Sequence, residues 1–148
     1  MIKKYLFIHC KVELERKLNV FENQKNELKQ ALNSESKSSA GDKYETGRAM
    51  IHLEMEKLGN QIADAERKYK KLQSLKNQKN KKAIGLGSVV FTDKANYYVS
   101  IAADLCKIDL VKFYCISTLS PIGLLLLGKK INDKIEFNNQ VITIIKIL

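Results

Sequence analysis

Long apolar runs are missing from this sequence. The longest, Pro121 to Leu127, falls far short of the roughly 20 residues that a membrane span requires. The apolar stretch Tyr5 to Ile8 behind Lys3 and Lys4 is too short for a signal peptide, and charge resumes at Lys11. A cytoplasmic protein with no membrane partner is expected. Cysteine is scarce: Cys10, Cys106 and Cys115 are odd in number and far apart in sequence, which suits neither a disulfide framework nor a zinc site. His9 beside Cys10 is the only pairing with a hint of metal chemistry, and adjacent ligands of this kind read more simply as an ordinary reduced thiol with a neighbour. Glycine-rich phosphate loops are absent too. The "GLGS" run at 85–88 lacks the preceding strand and following helix of a dinucleotide site. No Ser, His and Asp grouping suggests a hydrolase triad. An enzyme with its own enclosed pocket is therefore not expected.

What the sequence does have is positive charge, unevenly placed. The net charge is +10, and 19 of the 26 Lys and Arg, with 11 of the 16 Asp and Glu, precede residue 83. Such asymmetry suits an approach to something polyanionic, although a solvated helical surface carries the same signature. With 45% hydrophobic and 28% charged residues, the chain has the composition of a folded protein.

The chain divides at "KNQKNKK", residues 76–82, which holds no apolar residue. Before it, Phe7, Leu14, Leu18, Phe21, Leu28 and Leu32 form one stripe at spacings of three, four and seven. A second stripe runs through Ile51, Met55, Leu58, Ile62, Ala65, Tyr69 and Leu72. Both have the narrow period of coiled-coil seams, and no proline interrupts either. Between them "NSESKSSAGDKYETG", rich in Ser and Gly and free of aliphatic residues, predicts the end of one helix and the start of the next. Two long helices joined in this way read as an antiparallel hairpin over 1–78, with its tip at about 37–47. Arms of about 30 residues extend roughly 45 Å, which places the tip at the far end of a finger.

After a linker at 79–86 the pattern turns to β. Short runs rich in Val, Ile, Tyr and Phe ("SVVFT", "YYVSIAA", "FYCIST", "KIEF", "VITIIKI") predict strands, and Asn138-Asn139 a tight hairpin turn. Ser120, Pro121 and Gly128 have the order of an N-cap, a first helical residue and a terminator, so one short helix interrupts the strands. The expected fold class is α+β, with a small antiparallel sheet domain at 87–148. Its core is expected among Val89, Phe91, Tyr98, Val99, Ile101, Ile116, Leu125, Leu126, Ile135, Ile142 and Ile144.

The chemistry-bearing candidates lie at the tip. Asp42 and Glu45, three residues apart, can converge at the start of a helix. Two carboxylates with open space around them suit Mg²⁺, which usually takes one or two protein carboxylates and keeps its waters. Lys43 and Arg48 would moderate the charge and could contact phosphate, and Tyr44 is an aromatic at an exposed tip. The competing interpretation is a capping box, with Asp42 as N-cap and Glu45 satisfying free amides of the second helix.

These features together resemble the Gre transcript-cleavage factors. Gly41, Asp42 and Glu45 align with the Gly, Asp and first Glu of the family's "G-D-x-x-E-N-A-E-Y" tip. Within "SPIGLLLLGKKINDKIEF", residues Ser120, Pro121, Leu126, Leu127, Gly128, Lys129 and Asp133 match the family's "S-P-[IL]-x-x-x-L-[IL]-G-K-x-x-x-D" segment, and "GSVVFT" resembles the first strand of its second domain. The tip's form is also similar to that of a Gre-like subgroup in Bacteroidetes. The resemblance implies a coiled-coil finger followed by an FKBP-like domain, acting as a monomer. It implies a partner, RNA polymerase, whose secondary channel the finger enters, bringing the tip near the nascent RNA 3′ end. Asp42 and Glu45 would then position an Mg²⁺ shared with the polymerase, which itself hydrolyses backtracked RNA; no metal is expected on the factor alone. The family's "N-A-E-Y" is replaced here by Thr46, Gly47, Arg48 and Ala49. That departure leaves room for a channel-binding regulator that does not stimulate cleavage. A structural coiled-coil adaptor that self-associates is the alternative of another class. A fatty-acid condensing enzyme, a name some of that subgroup carry, finds no support in a chain this short without a Cys/His/His arrangement.

Overall fold

The computed structural model describes the backbone of residues 1–36 and 41–148 and the side chains of residues 1–34 and 45–148. It is a mixed α+β protein in which two N-terminal helices precede a six-stranded sheet. Helix α1 spans Ile2–Ser36 and α2 spans Gly41–Gln73. The strands are β1 (Val89–Thr92), β2 (Asn96–Ser100), β3 (Ala103–Ile108), β4 (Val111–Ser117), β5 (Lys134–Phe137) and β6 (Gln140–Ile147), with helix α3 (Pro121–Leu126) between β4 and β5.

Both long helices run further into the Ser- and Gly-rich segment than composition suggests. Asn33–Ser36 still belong to α1, and Gly41–Gly47 already belong to α2. Ser and Gly lower helix propensity by less than about 1 kcal/mol each, which neighbouring good helix formers such as Lys, Glu and Arg offset. Among the described residues no helix is long and apolar enough to cross a membrane.

Two compact units emerge, Met1–Glu13 with Tyr69–Leu148, and Leu14–Lys68. In the second, α1 packs against α2. Leu14, Leu58 and Ala65 are buried there, and Leu18, Phe21, Leu28, Leu32, Ile51, Met55 and Ile62 half-buried, as the two apolar stripes require. The packing is not close throughout: Phe21, Leu28, Ala31 and Leu58 border a cavity of about 580 Å³. Gly59 faces outward in the middle of α2, with nothing near the position a Cβ would occupy. Gly59→Ala is therefore expected to stabilise the protein by about 0.5–1 kcal/mol through the lost backbone entropy of glycine, measured as a higher urea midpoint.

The first unit is built on the sheet, whose strand order is β3-β4-β2-β1-β6-β5. The expected all-antiparallel arrangement is not what forms. β2 and β4 pair in parallel, Tyr98 opposite Cys115, and every other pair is antiparallel. The reason is β3, a strand outside the predicted runs: "YYVSIAA" ends where β3 begins, and Asp104 and Lys107 break the apolar pattern beyond it. The chain bends at Ile101–Ala102 and proceeds to the edge position. It reverses at Asp109, which has positive φ, and returns as β4 in the slot beside β2. Residue alternation reports which face a side chain takes, not which way the neighbouring strand runs.

Other local expectations have physical counterparts. Asn138 and Asn139 both adopt positive φ, the type I′ geometry that matches strand twist, and join β5 to β6 with Phe137 opposite Gln140. Ser120 accepts a hydrogen bond from the Gly123 amide at 3.1 Å as N-cap of α3, with Pro121 first in the helix. Gly128 has a φ of 79°, the left-handed conformation that glycine adopts without steric cost.

The sheet buries both faces. On one, Tyr97, Val99, Val90, Ile135, Ile142 and Ile144 pack against Ile122 and Leu126 of α3. On the other, Tyr98, Ser100 and Cys115 meet the beginning of α1, where Leu6 and Cys10 have no exposure, and Leu75 approaches Gly87. Leu6 and Cys10 stand off the Phe7–Leu14 stripe: this end of α1 serves the sheet instead of the helical seam. Of the expected core, Leu125 is exposed, because α3 has a single turn and a half and turns Ile122, Gly123 and Leu126 inward.

Candidate functional site

The side chains of Asp42, Lys43 and Tyr44 lie outside the described residues. Their backbone places them in the first turn of α2, which begins at Gly41. Asp42 is thus inside the helix, whereas an N-cap has non-helical φ and ψ and precedes it. The capping-box expectation turns on the Asp42 side chain, which lies outside the described residues. Asp42 and Glu45 are i and i+3 on one helix, neighbouring positions on its surface. Glu45 is exposed, and Arg48, a further three residues along, is partly covered. The two helix positions are compatible with a common hydrated ligand.

The signature-like residues of the second half form a different kind of cluster. Ser120 donates through Oγ to the Ser117 carbonyl at 2.7 Å while accepting from Gly123. The Gly128 amide donates to the Ile84 carbonyl and the Lys129 carbonyl accepts from the Ile84 amide, both at 2.8 Å. Asp133 Oδ2 accepts from the Lys130 amide at 2.7 Å, closing a turn, and the backbone of Asp133 pairs with Ile144. Ser120, Pro121, Gly128, Lys129 and Asp133 are thus brought together as caps and turns. They set the path of the chain from β4 through α3 to β5 and leave no reactive constellation.

His9 and Cys10 are likewise engaged. His9 Nε2 donates to the Asp104 carbonyl at 2.9 Å, and the Glu13 carboxylate accepts from the Asp104 amide at 2.9 Å. One peptide segment at the start of β3 is thereby gripped by two residues one helical turn apart. Cys10 Sγ lies 3.9 Å from Ser100 Oγ, and it shares a hydrogen bond with Cys115. All three cysteines are free thiols and buried. The bond to Cys10 and then burial push the Cys115 thiol far up, and burial raises Cys106. The fold therefore gathers thiols that are remote in sequence, a proximity only strand pairing creates. Among the described residues no group of three or more His, Cys, Asp or Glu could hold a metal.

Sequence reasoning passed over one further set. Lys3, Lys4, Lys11 and Lys76 line a cavity of about 580 Å³ beside Tyr98. Lysines scattered on a helix and a linker read as solvated charge until the fold assembles them.

No family model matches this chain, and no match was found among curated proteins.

Proposed function

We propose that this protein is a Gre-like transcription factor that binds RNA polymerase and inserts an antiparallel coiled-coil hairpin into the secondary channel. Its carrying observation is the pair of long helices, 35 and 33 residues, that are separated in sequence only by residues 37–40, beside the Asp42/Glu45 pair. At 1.5 Å per residue each is about 50 Å long, a reach suited to a narrow channel. The sheet domain, which we read as FKBP-like, would dock at the channel entrance. The turn-forming roles of Ser120, Gly128 and Asp133 support that reading, because they account for a family-like segment by what its fold needs.

In the proposed mechanism the factor has no active site of its own and works as a monomer in the cytoplasm. Asp42 and Glu45 are the residues that would hold a second Mg²⁺ jointly with the polymerase, near the extruded RNA 3′ end. When bound there, such an ion would supply Lewis-acid chemistry, activating water and offsetting the charge that develops on the scissile phosphate. Two exposed carboxylates hold a strongly hydrated ion weakly, so the site would be completed only within the polymerase.

A second reading rests on Thr46, Gly47 and Arg48. A cation one turn beyond Glu45 reduces the negative potential that attracts a divalent ion. In that reading the protein occupies the channel and regulates synthesis without cleavage.

Both readings are tested on reconstituted backtracked elongation complexes. The expected result is comigration of the protein with the complex and shortening of the RNA from its 3′ end. Comigration without shortening supports the second reading. Failure to comigrate, with self-association in sedimentation, refutes both in favour of the adaptor alternative.

A further inference from the structure

The lysine-lined cavity has no part in the proposed insertion of the hairpin tip, and it has the attributes of a ligand site. Its volume, about 580 Å³, lies within the ~300–1,000 Å³ of small-molecule sites. Every residue lining it belongs to the compact unit made of Met1–Glu13 and Tyr69–Leu148. Lys3 and Lys4 come from the first turn of α1, Lys11 from two turns further along it, and Lys76 from the segment after α2; no Asp or Glu is among the lining residues. Among the described residues Lys3, Lys4 and Lys76 enter no salt bridge.

Positive charge is crowded here. Burial, and next the charge of Lys81, hold the Lys3 ammonium below its ordinary pKa. A bound polyanion would relieve both penalties, by offering charge-assisted hydrogen bonds and by offsetting the repulsion.

The remaining lining is apolar and aromatic. Phe7, half-buried, and Ile8, exposed, present apolar surface from α1, above the buried Leu75 and Tyr98. The amide side chains of Asn77 and Gln78 offer both donors and acceptors at the rim. Gln78 is seated against Gly87, whose φ of 92° and missing Cβ make room for it, so this rim depends on a specific glycine. Cations on one side, an apolar floor and amide groups between are the complement of a phosphorylated compound that carries an aromatic ring.

We propose that this cavity binds a nucleoside polyphosphate, with the phosphates on Lys3, Lys4, Lys11 and Lys76 and the base against Phe7 and Ile8. The site is independent of polymerase and of the tip carboxylates. It lies where the first turns of α1 meet the sheet, so occupancy would strengthen that junction.

The test uses the full chain labelled with ¹⁵N and titrated with ATP in EDTA, which keeps the nucleotide free of metal. Saturable shifts are expected for amides of residues 3–11, 75–78 and 87, with a dissociation constant below about 1 mM. Lys76→Glu, at an exposed position, and Lys3→Gln are each expected to weaken binding at least tenfold. Lys107→Glu, exposed on β3, is expected to change it less than twofold. Adenosine and inorganic tripolyphosphate, each carrying half of the recognised chemistry, are expected to bind at least fivefold more weakly than ATP. The proposal is overturned if 5 mM ATP gives no saturable shifts in these amides. It is equally overturned if Lys107→Glu weakens binding as much as Lys76→Glu, which indicates diffuse attraction. Tripolyphosphate binding as tightly as ATP would refute the nucleoside portion. A single-stranded RNA that displaces ATP and binds far more tightly would reassign the surface to nucleic acid.

Discussion

Asp42→Asn combined with Glu45→Gln is expected to lower stimulated RNA cleavage about 100-fold while leaving polymerase binding within about twofold. The substitutions keep size and hydrogen-bonding capacity and remove two formal charges. A ligand pair that holds a metal in the transition state is worth several kcal/mol, and a hundredfold loss corresponds to about 2.7 kcal/mol. Binding is expected to persist because the tip is a small part of the helical surface, and rim charges contribute little to affinity. Raising Mg²⁺ should recover part of the loss in the single variants, since weakened metal affinity is then the cause. Arg48→Glu, which places a carboxylate at the position of the second Glu in the Gre tip pattern, should on the proposed function raise cleavage above that of the native protein. The measurement is the rate of RNA shortening in stalled complexes over a Mg²⁺ series. Cleavage by the double variant at the native rate would remove the carboxylates from the mechanism and leave channel occupancy as the function.

The largest effect on stability is expected at Gly123→Ala, about 3 kcal/mol. A Cβ at this buried position would overlap the Ser117 carbonyl oxygen and stand 2.8 Å from Ser120 Oγ. Both neighbours are fixed. The Ser117 carbonyl accepts from the Ser120 amide and hydroxyl, and Ser120 Oγ accepts from Gly123 itself. The helix must therefore lift from the end of β4, which strains the packing by ~1–3 kcal/mol and disturbs a cap worth about 1 kcal/mol. Against a typical total of ~5–15 kcal/mol this is a large fraction. Ser120→Ala, which removes the cap without the clash, is expected to cost only about 1 kcal/mol. Urea unfolding of the two variants measures the difference. A loss below 1 kcal/mol for Gly123→Ala would mean that α3 has freedom to move which this geometry denies.

The turn chemistry and the helical stripes are legible in the residues themselves because their causes are local. Asn138-Asn139 names its turn through the tolerance of asparagine for positive φ, and Ser120-Pro121 names a helix start through one side-chain oxygen and one fixed dihedral. Apolar residues at three- and four-residue spacing mark one helix face whatever lies opposite. The candidate tip is legible as composition and spacing, Asp42 and Glu45 three residues apart, but the extent of the helices around it is not. Helix ends there depend on small propensity differences that neighbouring turns override.

What only the tertiary structure decided are pairings between distant residues. The parallel β2–β4 pair, the edge position of β3 and the service of Leu6 and Cys10 to the sheet have no local signal. Each follows from which surfaces must be covered once the sheet forms. The same holds for Cys10 beside Cys115 and for the four lysines around one cavity. Periodicity determines which face of an element is apolar, so the sequence by itself determined two long amphipathic helices, a β domain and a short capped helix. Burial of those faces against one another determined their neighbours, because the free energy of covering apolar area depends on the whole assembled surface and not on any one segment.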